Sequence, residues 1–232
     1  MNQDSDEEGK KLIKYTGNYG YNTLNSQFWD DFEDFGEEGL IANKITKIKI
    51  YTRNFEHKQA ISGISCEFKN ICNGKVKTKE HIGSLNFDDA KEFVLKNNEY
   101  LTTFHIRINE KSECVTQLRF ETNKGNKILV GIEEGEDKII LSNGARNIFI
   151  GTFGCTNEKL DAMGCLYLSK EEYIGRRLFY LFMLRYILKK DNKFREKWDA
   201  NLNALPYEFK YIWKTVHLPD AVFSQIIGYC YY

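Results

Sequence analysis

The chain has 232 residues, 42% of them hydrophobic and 14% aromatic, enough to bury the core of one ordinary domain with an appendage, which excludes a wholly disordered protein. Its 33 Lys and Arg balance 33 Asp and Glu for a formal net charge of +0, and no long basic run supplies the electrostatic footprint of a nucleic-acid binder. Six cysteines and four histidines show neither zinc-site spacing nor a disulfide framework, so reduced thiols in the core are expected, with no metal and no other cofactor.

Residues 1–12 carry Asp4, Asp6, Glu7 and Glu8 and read as an acidic tail. A secretory signal would start basic and turn apolar, and a mitochondrial presequence would be Arg-rich, so an intracellular, soluble protein is the expectation. From about residue 44 to 168 apolar and polar residues alternate. Ile48 and Ile50 alternate with Lys47 and Lys49, Phe104, Ile106 and Ile108 with His105 and Arg107, and Leu118 and Phe120 with Gln117, Arg119 and Glu121. Period two is the pattern of antiparallel strands with one face buried. Reversals are expected at Asn73-Gly74, Asn123-Lys124-Gly125, Glu133 to Asp137 and Ser142-Asn143-Gly144, where Asn and Gly tolerate the positive φ of tight turns. Pro206 and Pro219 both lie beyond this region, so no strand loses a ladder donor to proline. Helix is expected to be essentially absent from residues 13–168.

The character changes at Ser169. Ser169-Lys170-Glu171-Glu172 has capping-box spacing and predicts a helix start. Leu178 to Leu184 is apolar around the whole circumference, yet the run falls short of the roughly 20 apolar residues that span a bilayer. Phe194, Trp198, Leu202 and Leu205 predict an amphipathic segment ending at Pro206, with short helices over 207–215 and 219–228. Residues 169–232 therefore read as an all-α extension. Phe179, Tyr180 and Met183, with Tyr229, Tyr231 and Tyr232 in the aromatic tail, are the residues expected to dock on other protein subunits.

Six landmarks occur in the order found in the jacalin-related lectins. They are Gly17-Asn18-Tyr19-Gly20 with Phe28-Trp29-Asp30-Asp31; Ile48-Lys49-Ile50 with Ala60-Ile61-Ser62-Gly63-Ile64; Glu92-Phe93 with Asn98-Glu99-Tyr100-Leu101; Leu118-Arg119-Phe120-Glu121-Thr122-Asn123; Ile150-Gly151-Thr152-Phe153-Gly154; and Leu160-Asp161-Ala162-Met163-Gly164. Over residues 13–168 the chain resembles that family, and the resemblance implies a mainly β fold, the β-prism I of three four-stranded Greek-key sheets. It also implies a sugar site at one end of the prism, made by an early glycine loop and a Gly-x-x-x-Asp loop, with no catalytic residue. The second element here reads Asn157-Glu158-Lys159-Leu160-Asp161, which keeps the carboxylate and replaces the glycine, and the early glycine pair falls at Asn25-Ser26. A third loop is placed around Arg107 to Glu110, without an aromatic. Main-chain amides of Glu158 and Lys159 and one carboxylate suit a polyol, because they meet neighbouring hydroxyls in fixed directions without ionisation or a nucleophile. Mannose- or glucose-type carbohydrate is the class implied, since galactose binding in the family usually needs a chain cut and this chain is continuous there.

No residues suggest an enzyme. The pairs Asp30-Asp31, Asp88-Asp89 and Glu133-Glu134 sit at expected turns and read as solvated loop carboxylates, His105 as an exposed or rim residue, and Cys155 as a thiol with no evident base. Two readings stay open. One is a carbohydrate-binding module; the other is a structural subunit of a larger assembly, whose lectin-like domain has lost its sugar site and whose extension docks onto partner chains.

Overall fold

The computed structural model describes residues 13–21, 25–55, 58–70, 74–83, 87–96, 99–111, 114–141, 146–190 and 196. In chain order the elements are β1 (Lys14–Tyr15), β2 (Tyr19–Gly20), β3 (Gln27–Asp30), α1 (Asp31–Ala42), β4 (Asn43–Phe55), β5 (Lys58–Asn70), β6 (Val76–Ile82), β7 (Asp89–Val94), β8 (Leu101–Asn109), β9 (Cys114–Thr122), β10 (Lys127–Gly131), β11 (Glu136–Leu141), β12 (Asn147–Thr156), β13 (Leu160–Ser169) and α2 (Lys170–Lys190). They form three antiparallel sheets. The first brings the ends of the domain together: the β12–β13 hairpin is flanked by β3 on one side and by β1 and β2 on the other, both paired with β13 along one edge. The second runs β6-β5-β4-β7 and the third β10-β9-β8-β11, each in Greek-key order. This is the prism expected from the sequence.

The alternation explains the core. Ile48, Ile50, Ile61, Ile64 and Phe68 of the second sheet meet Phe104, Ile106, Leu118 and Phe120 of the third and Ile148, Ile150, Met163 and Leu166 of the first, all buried. Phe104 stacks on Phe120 at 4.7 Å, and Phe149 sets its edge against both rings, a preferred arrangement for aromatic quadrupoles. Cys66, Cys114, Cys155 and Cys165 are buried free thiols. Glycine is required where backbone crosses backbone: at Gly135, with φ of 93°, a Cβ would lie 2.0 Å from the Ile108 carbonyl oxygen.

Helix α1 corrects the expectation that residues 13–168 are essentially free of helix. The Asp30 side chain accepts the Phe32 amide at 2.8 Å as an N-cap, and Asp31, Glu33 and Asp34 place negative charge in the first turn. Gly36, at φ of 67° and ψ of 174°, interrupts the helix, so the run has no clean 3.6-residue period for a pattern reading to find. Its second half delivers Leu40 and Ile41 to the core.

A second correction concerns Asp31. It is 0% exposed, not a solvated loop carboxylate. Its Oδ2 accepts the Thr152 amide at 2.7 Å and the Thr152 hydroxyl at 2.9 Å, while Oδ1 lies 3.6 Å from His81 Nε2 of β6. Trp29 stacks on the His81 ring at 4.6 Å and donates its indole N–H to Thr152 Oγ1 at 3.1 Å. This polar knot joins the first sheet to the second.

Glu99 is also buried. Its carboxylate accepts the Lys96 amide at 2.9 Å and the Asn126 side-chain amide, tying two connections together. The Lys96 amide bond, with Asn126 and nearby lysines, holds its pKa below the ordinary carboxylate value despite burial. Stabilisation from such a group is complete above its unfolded-state pKa and is lost as pH falls through the lowered folded-state value. Glu99→Gln is expected to cost about 1.5–3 kcal/mol near pH 7 and progressively less as acid protonates the wild-type carboxyl, read from urea unfolding at several pH values. A cost independent of pH would show that charge plays no part.

At α2 the expected capping box is present: the Glu172 amide donates to Ser169 Oγ at 3.2 Å, and the Ser169 amide donates to Glu172 Oε2 at 3.3 Å. Tyr173, Arg185 and Leu188 are buried, whereas Phe179, Phe182, Met183 and Tyr186 are exposed. The Tyr180 side chain, the segments expected to be helical after residue 191, and Tyr229, Tyr231 and Tyr232 lie outside the described residues. The all-α extension is thus described only as far as Lys190. Among the described residues no helix is long and apolar enough to cross a membrane.

Candidate functional site

One end of the first sheet gathers the residues that the sequence singled out. Asn157, Glu158 and Lys159 form the bend between β12 and β13, closed by the Asn157 amide donating to the Lys159 carbonyl at 3.1 Å. Gln27 of β3 pairs with Thr156, so Asn25 and Ser26, just before β3, arrive beside that bend. On the other side β2 pairs Gly20 with Ala162, and the Tyr21 amide donates to the Asp161 carbonyl at 3.1 Å. Only glycine fits at position 20: φ is 129°, and a Cβ would sit 2.1 Å from the Asp161 carbonyl oxygen.

Asp161 is the centre of this cluster and only 2% exposed. Ser26 donates its hydroxyl to Asp161 Oδ2 at 2.9 Å, a contact between residues 135 apart in the chain. Asn25 and Glu158 are exposed, and Asn157, Lys159 and Ser26 are half-buried. Cys155, fully buried at the end of β12, donates its thiol to the Tyr21 carbonyl at 3.8 Å. Burial above all, and then the Asp161 charge, push that thiol up, with the Ser26 hydroxyl opposing. A thiol held protonated in this way is a poor nucleophile. The cluster suits recognition of hydroxyls, with a fixed anionic acceptor and main-chain groups around it. Among the described residues no group of three or more His, Cys, Asp or Glu could hold a metal ion.

Arg107 is engaged in the third sheet, with Nη2 at 3.7 Å from Asp137, and the Asn109 side chain caps its own turn by accepting the Lys111 amide at 2.9 Å. Gly83, just after β6, abuts the bend: a Cβ on it would lie 2.6 Å from the Glu158 carbonyl oxygen and 2.9 Å from that of Asn157. Sequence reasoning missed Gly83, although an isolated glycine at a strand end can mark close backbone approach. Phe87, exposed and packed on Tyr51 at 4.6 Å, begins the return toward β7.

The three Greek-key sheets close into a β-prism. The family model of the jacalin-like lectin domain matches residues 16–166, and the chain belongs to that family. Among curated proteins it is similar to Jacalin-related lectin 44 of Arabidopsis thaliana, 29% identical over 145 residues, covering 61% of this chain and 22% of the relative. It is also similar to Myrosinase-binding protein 2 of the same plant, 30% identical over 114 residues, covering 47% of this chain and 18% of the relative. The chain thus spans about a fifth of the length of these relatives. Among solved structures, Malaysian banana lectin aligns with a TM-score of 0.54 at 21% identity, over 68% of this chain and 99% of that one. A mannose-binding jacalin-related lectin from Ananas comosus aligns with a TM-score of 0.53 at 19% identity, over 68% and 99%. At these identities the likeness establishes the fold.

Proposed function

We propose that the chain is a non-catalytic carbohydrate-binding module for mannose- or glucose-type sugars, with Asp161 as the acceptor for adjacent hydroxyls and the Glu158 and Lys159 amides and the Asn25-Ser26 loop completing the site. The observation that carries this reading is the Ser26 hydroxyl on Asp161 at 2.9 Å: the carboxylate is already placed and desolvated to accept a hydroxyl where two loops meet. The mannose-binding lectin of similar fold supports the sugar class. The test is calorimetric titration of the full chain with methyl α-mannoside, methyl α-glucoside and methyl α-galactoside. Saturable binding of the first two, lost in Asp161→Ala, is the expected result; no binding of any of them overturns the reading.

A second reading, a structural subunit that docks through its extension, is favoured by the side of α2 on which Phe179, Met183 and Tyr186 are 58%, 44% and 53% exposed at helical spacing. Exposed apolar stripes of this kind mark interaction surfaces or aggregation liabilities. Sedimentation of the full chain should then show association at high concentration. A monomer in which these side chains resist labelling would sink the docking role.

A further inference from the structure

The outward face of the third sheet holds a second concave feature, distinct from the loop cluster. Directly opposed residues of an antiparallel pair share a face, so Asp137, Arg107 and Gln117 form one row across β11, β8 and β9, and His105, Arg119 and Leu129 form part of the next. Gly131, opposite Gln117, has no side chain to fill its place in the first row. With Lys127 and Glu133 at the border, the result is a cavity of about 310 Å³, within the range of small-ligand sites.

Its guanidinium groups are partly accessible, the Arg107 and Arg119 side chains being 24% and 39% exposed. Arg107 meets Asp137 through Nη2 at 3.7 Å, and Arg119 meets Glu121 through Nη2 at 3.4 Å. The Nε of each guanidinium is buried with no hydrogen-bond partner among the described residues. Burial first, and then the Arg119 charge, hold His105 below the ordinary imidazole value, so it is a neutral hydrogen-bonding group near pH 7 and adds no cation.

We propose that this hollow binds an acidic saccharide, a sugar bearing a carboxylate or a sulfate. The planar guanidinium forks and the Lys127 ammonium supply charge-assisted donors for the oxyanion. Glu133 and Asp137 would repel a bare anion, yet they are suitable acceptors for the hydroxyls of the same sugar. Leu129, 48% exposed, offers an apolar surface to the C–H face of a ring. An oxyanion carried on a polyol uses all three kinds of group, which neither a neutral sugar nor a free ion does.

The experiment is titration of the full chain at low salt with methyl glucuronide and glucose 6-sulfate, against methyl glucoside and inorganic sulfate. Both anionic sugars should bind saturably, about tenfold or more tightly than either control. Arg107→Gln should weaken them about tenfold, and so should Lys127→Gln, which alters only an edge strand. Asp161→Ala should leave this binding intact, which separates it from the neutral-sugar site. The proposal falls if neither anionic sugar binds saturably or if both variants bind as the wild type does. Equal affinity for inorganic sulfate overturns the saccharide assignment.

Discussion

Asp31→Ala is expected to be among the most destabilising single substitutions in the domain, lowering stability by about 3–5 kcal/mol in urea unfolding at neutral pH. The carboxylate is 0% exposed and is the acceptor for both the amide and the hydroxyl of Thr152. Alanine leaves these donors, and the His81 nitrogen 3.6 Å from the missing oxygen, without the group they face, in a place where water cannot easily serve all three. Asp31→Asn retains one carbonyl acceptor for Thr152 and should cost less. A loss below about 1 kcal/mol for the alanine variant would mean that the knot relaxes around the gap, and the account of how the first and second sheets are joined would fail.

Asp161→Ala should abolish neutral-sugar binding. A hydrogen bond to a charged acceptor is worth about 1.5–3 kcal/mol, which is about 10- to 150-fold in Kd. Ser26→Gly should act in the opposite direction. The Ser26 hydroxyl occupies one position on Asp161 Oδ2, so a sugar hydroxyl approaching that oxygen competes with a group that is always present. Removing it should tighten binding by about 0.5–1.5 kcal/mol, roughly 2- to 10-fold. If Ser26→Gly weakens binding instead, the serine braces the carboxylate or touches the sugar itself. If Asp161→Ala binds methyl α-mannoside as well as the wild type, the site lies elsewhere.

The three sheets were legible in the sequence because period-two alternation is a local property. Ile48, Ile50, Phe104, Ile106, Leu118 and Phe120 announce a buried face whatever the strand later pairs with. The capping box at Ser169 and Glu172 was equally local, since both partners lie within one helical turn. The six ordered landmarks then pointed to the jacalin-like family, whose model matches residues 16–166.

What the sequence left open was decided by contacts between distant residues. Asp30 and Asp31 are neighbours in an acidic pair, yet one caps α1 from its edge and the other is sealed beneath Thr152, because the first sheet joins β3 to a strand more than 100 residues later. No local signal distinguishes a solvated carboxylate from one whose donors arrive from β12. The same holds for Ser26 on Asp161 and for Gly83 against the bend at 157–158. The hollow on the third sheet was hidden because period two marks His105, Arg107, Gln117 and Arg119 only as outward-facing; strand register makes them one concave surface. Residue type and spacing thus determined which faces are buried, and cross-sheet pairing decided which polar groups meet, since the free energy of a buried charge depends on partners that only the closed prism supplies.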